Sequence, residues 1–132
     1  MTKILLAATG YVVVVFPLAY VWHLGLFKEK YEAFGYFEGE PNIPLGLATI
    51  VIQGAALSLL YMFFHTGSAG LARAFQFAGL VGLFFWTSHV LALVAKQDVP
   101  NAGSFIAMET GYLVMQFGLF ALVLGLVHRG AE

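Results

Sequence analysis

Residues 103–127 read GSFIAMETGYLVMQFGLFALVLGLV, and one formal charge, Glu109, interrupts the run. A bilayer's hydrocarbon core is crossed by about 20 mostly apolar residues rising 1.5 Å each, so this stretch is long enough to be a membrane helix. Three others qualify, at about residues 4–27, 43–64 and 71–95. Pro44 and Gly103 sit at helix entries, where a missing or free N–H costs little. Pro17 falls inside the first stretch and predicts a kink that frees the Val13 carbonyl. The pattern predicts an all-α fold: one integral-membrane domain over residues 1–132, built as a four-transmembrane-helix bundle. Residues 28–42 form its only long loop.

Composition agrees. The chain has 132 residues, 61% apolar and 10% charged, with a net charge of −1, against roughly 45–50% and 25% in soluble domains. So much apolar surface excludes a water-soluble globule. The near-neutral balance offers no basic stripe for nucleic acid. The chain has no cysteine, which removes disulfides, thiolate metal sites and thiol nucleophiles.

The first stretch is too long for a secretory leader and lacks a small-residue cleavage site, so it reads as a retained helix. Four crossings put both ends of the chain on one side. That side holds Lys3, Arg73 and Arg129, and the other holds Lys28, Lys30 and Lys96, so the positive-inside count is tied. The five acidic residues of the second set of loops tip the reading toward cytoplasmic termini in a bacterial inner membrane. In the long loop, Tyr31, Phe34, Tyr36 and Phe37 alternate with charges, a mixture suited to a short turn or helix in the headgroup layer. Glu38 and Glu40 read as solvated, with recruitment of a cation or a basic partner as the alternative.

Landmarks recur in the two halves. His23 and His89 fall near the ends of the first and third stretches, and Pro41-Asn42 and Pro100-Asn101 close the loops after them. Gln53 precedes His65, and Gln116 precedes His128, by the same twelve residues. Two repeated helical hairpins would account for this.

Ionisable side chains within a membrane are costly and mark candidate sites. Glu109 lies about 9 Å into its helix at 1.5 Å per residue, and His89 and His23 lie about 9 and 6 Å from the ends of theirs. All three therefore sit at similar depth on the side away from the termini. Helical spacing predicts inward stripes of Thr9, Phe16 and His23; of Gly46, Thr49 and Gln53; of Gln76, Gly79, Gly82, Trp86 and His89; and of Glu109, Tyr112 and Gln116. The cluster of His23, His89, Glu109, Gln53, Gln116 and Tyr112 can act as polar packing or as a proton relay toward His65 and His128. His23, His89 and Glu109 could also hold a metal ion, and paired histidines a haem. No motif specifies a cofactor, and none of a nucleophile, phosphate-loop or zinc-protease kind appears.

Gly111, Gly118 and Gly125 recur every seven residues, about 200° around the helix from Glu109. With the polar stripe inward, this face predicts a groove free to meet another helix. With almost no mass outside the apolar stretches, membrane lipids and other transmembrane helices are the expected partners. The leading functional expectation is therefore helix–helix association, as a homo-oligomer or an accessory subunit of a larger membrane complex. A small transporter or proton-conducting protein is the alternative, and a haem- or metal-binding membrane redox protein a third.

Overall fold

The computed structural model of the chain describes residues 1–65 and 70–129. Its described residues are all helix and loop, and four helices are long and apolar enough to cross a membrane. Helix α1 (Thr2–Leu26) is α-helical to Tyr20 and ends in a π-helical turn, Val21–Leu26. A short α2 (Lys28–Ala33) comes next, in the long loop. Then come α3 (Ile43–Phe64), α4 (Leu71–Lys96), with its own π-helical turn at Thr87–Leu91, and α5 (Ala102–Val127). Asn42 caps α3, its side chain accepting the Leu45 N–H at 3.0 Å, with Pro44 in the first turn.

Helix α5 packs along both α4 and α1, and α1 packs along α3. The helices thus run α3, α1, α5, α4 around the molecule. Helices α3 and α4 approach each other near their facing ends, where the Arg73 guanidinium lies 4.6 Å above the Phe64 ring and Tyr61 meets Phe77. Inside a bilayer, helices gain no hydrophobic energy by meeting, so close backbone approach and hydrogen bonds hold them together. Gly54 provides the close approach between α3 and α1. A Cβ there would lie 3.1 Å from the Ala8 carbonyl oxygen and 3.0 Å from the Tyr11 ring. The outer surface is large and apolar: Val13, Ile52, Phe63, Leu80, Phe84, Val114 and Leu126 are each more than half exposed. In water that would be an aggregation surface; against lipid tails it is neutral.

Three expectations are corrected. The inward line of α1 is Ala7, Tyr11, Val15 and His23, while Thr9 is exposed. Helices crossing at an angle meet along rows of every fourth residue, and a seven-residue repeat misses that row. Gly46, Thr49, Gln76 and Gly79 are likewise exposed, because Gly54, Ser58 and Tyr61 carry the α3 contact and Ala74, Phe77 and Ala78 that of α4. Second, the glycine face of α5 is not spare along its whole length. Gly125 is buried against Leu71, Gly111 approaches Trp22, and on α4 Gly82 packs on Phe117. With α1 on one side and α4 on the other, α5 is covered on both, and only Gly118 stays open. Third, the loop aromatics turn inward. Tyr31 and Phe34 are buried and Tyr36 and Phe37 partly so, whereas Glu38 and Glu40 are exposed.

Candidate functional site

Glu109 is fully buried on the central helix. A carboxylate removed from water needs several donors to offset its lost hydration. It has three. His23 Nε2 lies 2.7 Å from Oε1, His89 Nε2 lies 3.0 Å from Oε2, and the Tyr31 hydroxyl donates to Oε1 at 2.5 Å. Both histidines sit in the π-helical turns that end their helices' regular stretches. A π turn inserts one residue and rotates the rest of the helix about its axis, and such turns recur at functional positions. The two imidazoles thereby meet one carboxylate from opposite neighbours of α5.

The protons of this triad can be counted. Ala19 contributes a carbonyl oxygen 3.0 Å from His23 Nδ1, and a carbonyl only accepts, so Nδ1 carries hydrogen. Trp22 Nε1–H donates to the Tyr31 oxygen at 2.8 Å, which directs the Tyr31 hydroxyl proton to Glu109. His23 Nε2 and Glu109 Oε1 therefore face each other with a hydrogen required between them. The pair holds one proton more than a neutral imidazole beside a free carboxylate. His89 needs no extra proton, since its Nε2–H tautomer satisfies Oε2. Burial first, and then the adjacent Glu109, push the Tyr31 and Tyr36 phenols well above their ordinary value, so both stay protonated.

A cavity of about 260 Å³ lies below the triad. All four long helices and the loop line it, with His23, Tyr36 and His89 at one end and Gln53 and Gln116 at the other. There Tyr11 bridges the two amides. Its hydroxyl donates to Gln53 Oε1 at 3.0 Å and accepts from Gln116 Nε2 at 2.8 Å. Tyr112, from the same helix as Glu109, lines the wall between and meets the His23 ring edge-on at 4.5 Å.

The remaining histidines meet at the far end of the helices. Their rings lie 4.7 Å apart, edge to face, beside Tyr61, and His65 Nδ1 donates to the Tyr61 carbonyl at 2.7 Å. Both His128 ring nitrogens, Ser58 Oγ and the Tyr61 hydroxyl are sealed without a partner among the described residues. Between this cluster and the Tyr11 bridge lie the fully buried Phe120 and Leu124, so the polar groups form two separate clusters.

Five residues singled out in the sequence, His23, His89, Gln53, Gln116 and Tyr112, line one space, and the sixth, Glu109, stands behind it, bonded to His23 and His89. The paired-haem arrangement does not fit: Glu109 fills the interval between His23 and His89, and the rings of His65 and His128 touch with no room for a macrocycle. Among the described residues no three His, Asp or Glu side chains are grouped as metal ligands. Tyr31, Trp22, Tyr36 and Tyr11 are additions. Trp22 beside His23 was the nearest signal for them, and nothing in the loop's spacing marked Tyr31. The class defined is an all-helical chain with four helices suited to crossing a membrane and a buried imidazole–carboxylate–imidazole triad. Compared with known protein families, characterised proteins and solved structures, the chain matches none.

Proposed function

We propose that the chain is a small proton-handling membrane carrier, whose triad takes up and releases a proton at the end of a solute cavity. The observation that carries this is the 2.7 Å approach of His23 Nε2 to Glu109 Oε1 while His23 Nδ1 lies on the Ala19 carbonyl, which calls for a hydrogen between imidazole and carboxylate. A hydrogen placed between an imidazole and a carboxylate has a group on either side able to take it, and His and Glu pairs of this kind within membrane spans mark proton relays. The apolar block of Phe120 and Leu124 favours a carrier over a continuous proton wire, because nothing in it can pass a proton on. We place the protein in a bacterial inner membrane with both termini cytoplasmic, so the triad faces the outside. A duplicated hairpin is supported by three meetings of corresponding residues: His23 and His89 on Glu109, Gln53 and Gln116 on Tyr11, and His65 with His128.

The test is a pH step across liposomes carrying a trapped pH dye. The wild type dissipates the gradient faster than empty liposomes, and Glu109→Gln returns the rate to the empty level. Equal rates for variant and wild type would remove the triad from the function.

A second reading, self-association or service as an accessory subunit, is favoured by one feature. A groove of about 390 Å³ runs between α4 and α5, with Gly79, Gly82 and Gly118 along it. Another transmembrane helix could seat there closely. Gly118→Leu would fill the groove and break a detergent-stable oligomer; a complex that survives it does not use this face.

A further inference from the structure

The cavity leaves hydrogen-bonding groups of its own unused. Gln116 spends its amide N–H on Tyr11, and among the described residues nothing donates to its carbonyl oxygen. Gln53 spends its carbonyl on Tyr11, and its amide hydrogens have no acceptor there. Among the described residues the Tyr112 hydroxyl has no partner either. Gln116 and Tyr112 are 3% and 5% exposed. The sealed, unpartnered atoms among the described residues all lie elsewhere, so these groups open onto the cavity they line. A buried polar group without a partner costs on the order of 1–3 kcal/mol, and two of them, with the half-buried Gln53 amide, converge on one apolar space. That describes a binding site awaiting its ligand's polar atoms.

We infer that the cavity binds an uncharged, ring-bearing molecule carrying a hydroxyl group, of the phenol class. This rests on reading the cavity as the carrier's solute site and names what enters it. A hydroxyl is the smallest group that both donates, to Gln116 Oε1, and accepts, from Gln53 or Tyr112. The walls call for a flat apolar body: the rings of Phe16, Phe37, Phe85, Tyr36 and Tyr112 all line the space, and aromatic rings pack on one another edge-on or offset. No Asp, Glu, Lys or Arg lines the cavity, and the charges of the His23–Glu109 pair are matched against each other. A charged ligand would find no counter-ion and would lose its hydration. A lipid chain would fill the volume and leave all three polar groups unpaired.

The experiment is calorimetric titration of the full chain in lipid nanodiscs at neutral pH with naphthol, naphthalene and naphthalenesulfonate. Naphthol is expected to bind, naphthalene about tenfold more weakly, and the sulfonate more weakly still. Tyr112→Phe removes only a hydroxyl that bonds nothing among the described residues, so its fold should hold, and naphthol should lose about fivefold in affinity. Gln116→Leu should lose at least as much. A single hydrogen bond's net contribution corresponds to changes of this size. Absence of naphthol binding overturns the inference. So do equal affinities for naphthol and naphthalene, full affinity in Tyr112→Phe, or sulfonate binding as tight as naphthol's. If naphthol binds as expected but Glu109→Gln leaves proton flux unchanged, the proton reading fails and the ligand assignment stands. Flux abolished by Glu109→Gln without naphthol binding has the reverse meaning.

Discussion

Replacing Glu109 tests the centre of the molecule most directly. Glutamine keeps the shape and leaves an amide oxygen for Tyr31, but removes the charge that His23 opposes and His89 donates to. Hydrogen bonds to a charged group contribute about 1.5–3 kcal/mol and neutral ones about 1. His89 is one-third exposed and can turn to solvent, so the loss falls mainly on the His23 and Tyr31 bonds, and Glu109→Gln should destabilise by about 2 kcal/mol. Leucine leaves the Tyr31 hydroxyl and His23 Nε2 buried without any acceptor, each costing about 1–3 kcal/mol, for a total of about 4. Detergent titration in mixed micelles, monitored by circular dichroism, should therefore rank wild type, Gln and Leu in that order. Nitrogen NMR of histidine-labelled protein reads the proton itself. In the wild type His23 carries hydrogen on both ring nitrogens, or shares its Nε2 hydrogen with Glu109; in Glu109→Gln it carries one. A wild type with a singly protonated His23 beside an ionised Glu109 would refute the proton count.

Other outcomes rest on the same geometry. Gly54→Ala should destabilise by about 1–3 kcal/mol in the same titration, because its methyl meets the Ala8 backbone oxygen and the Tyr11 ring. Gly79→Ala has open space at its Cβ and should gain up to about 1 kcal/mol from helix propensity. The Tyr31 and Tyr36 phenols are held protonated by burial first and by Glu109 next. An unfolded chain releases such protons near pH 10. Below that value their contribution to stability is full; above it the fold is progressively lost, which melts run between about pH 8 and 11 should register, and Tyr31→Phe should flatten the decline.

The four long helices were legible because apolar length is a local property: each run declared itself without knowledge of its neighbours. The meeting of His23, His89 and Glu109 was legible because helical rise fixes depth. The illegible features depend on pairs of elements. The row Ala7, Tyr11, Val15, His23 is set by the angle at which α1 crosses its neighbours, and no single-helix stripe contains that angle. The π-helical turns at Val21–Leu26 and Thr87–Leu91 leave no mark in composition, yet they aim both histidines. Tyr31 looked like a headgroup-layer residue because the buried carboxylate that draws it inward lies 78 positions away in sequence. The partner for Gly125 was hidden for the same reason, since it required knowing that α5 sits between α1 and α4.

The central place of α5 also bears on how the protein is made. Helices emerge from the ribosome in chain order, so α1, α3 and α4 enter the bilayer before the helix that joins them. Until α5 arrives, α1 and α4 have no common neighbour, and His23 and His89 wait in lipid with no anion to meet. The single buried carboxylate is delivered last, to two imidazoles already in position. The α1–α3 pair needs nothing from α5, but the join of α1 to α4 through the two histidines waits until translation has passed Glu109.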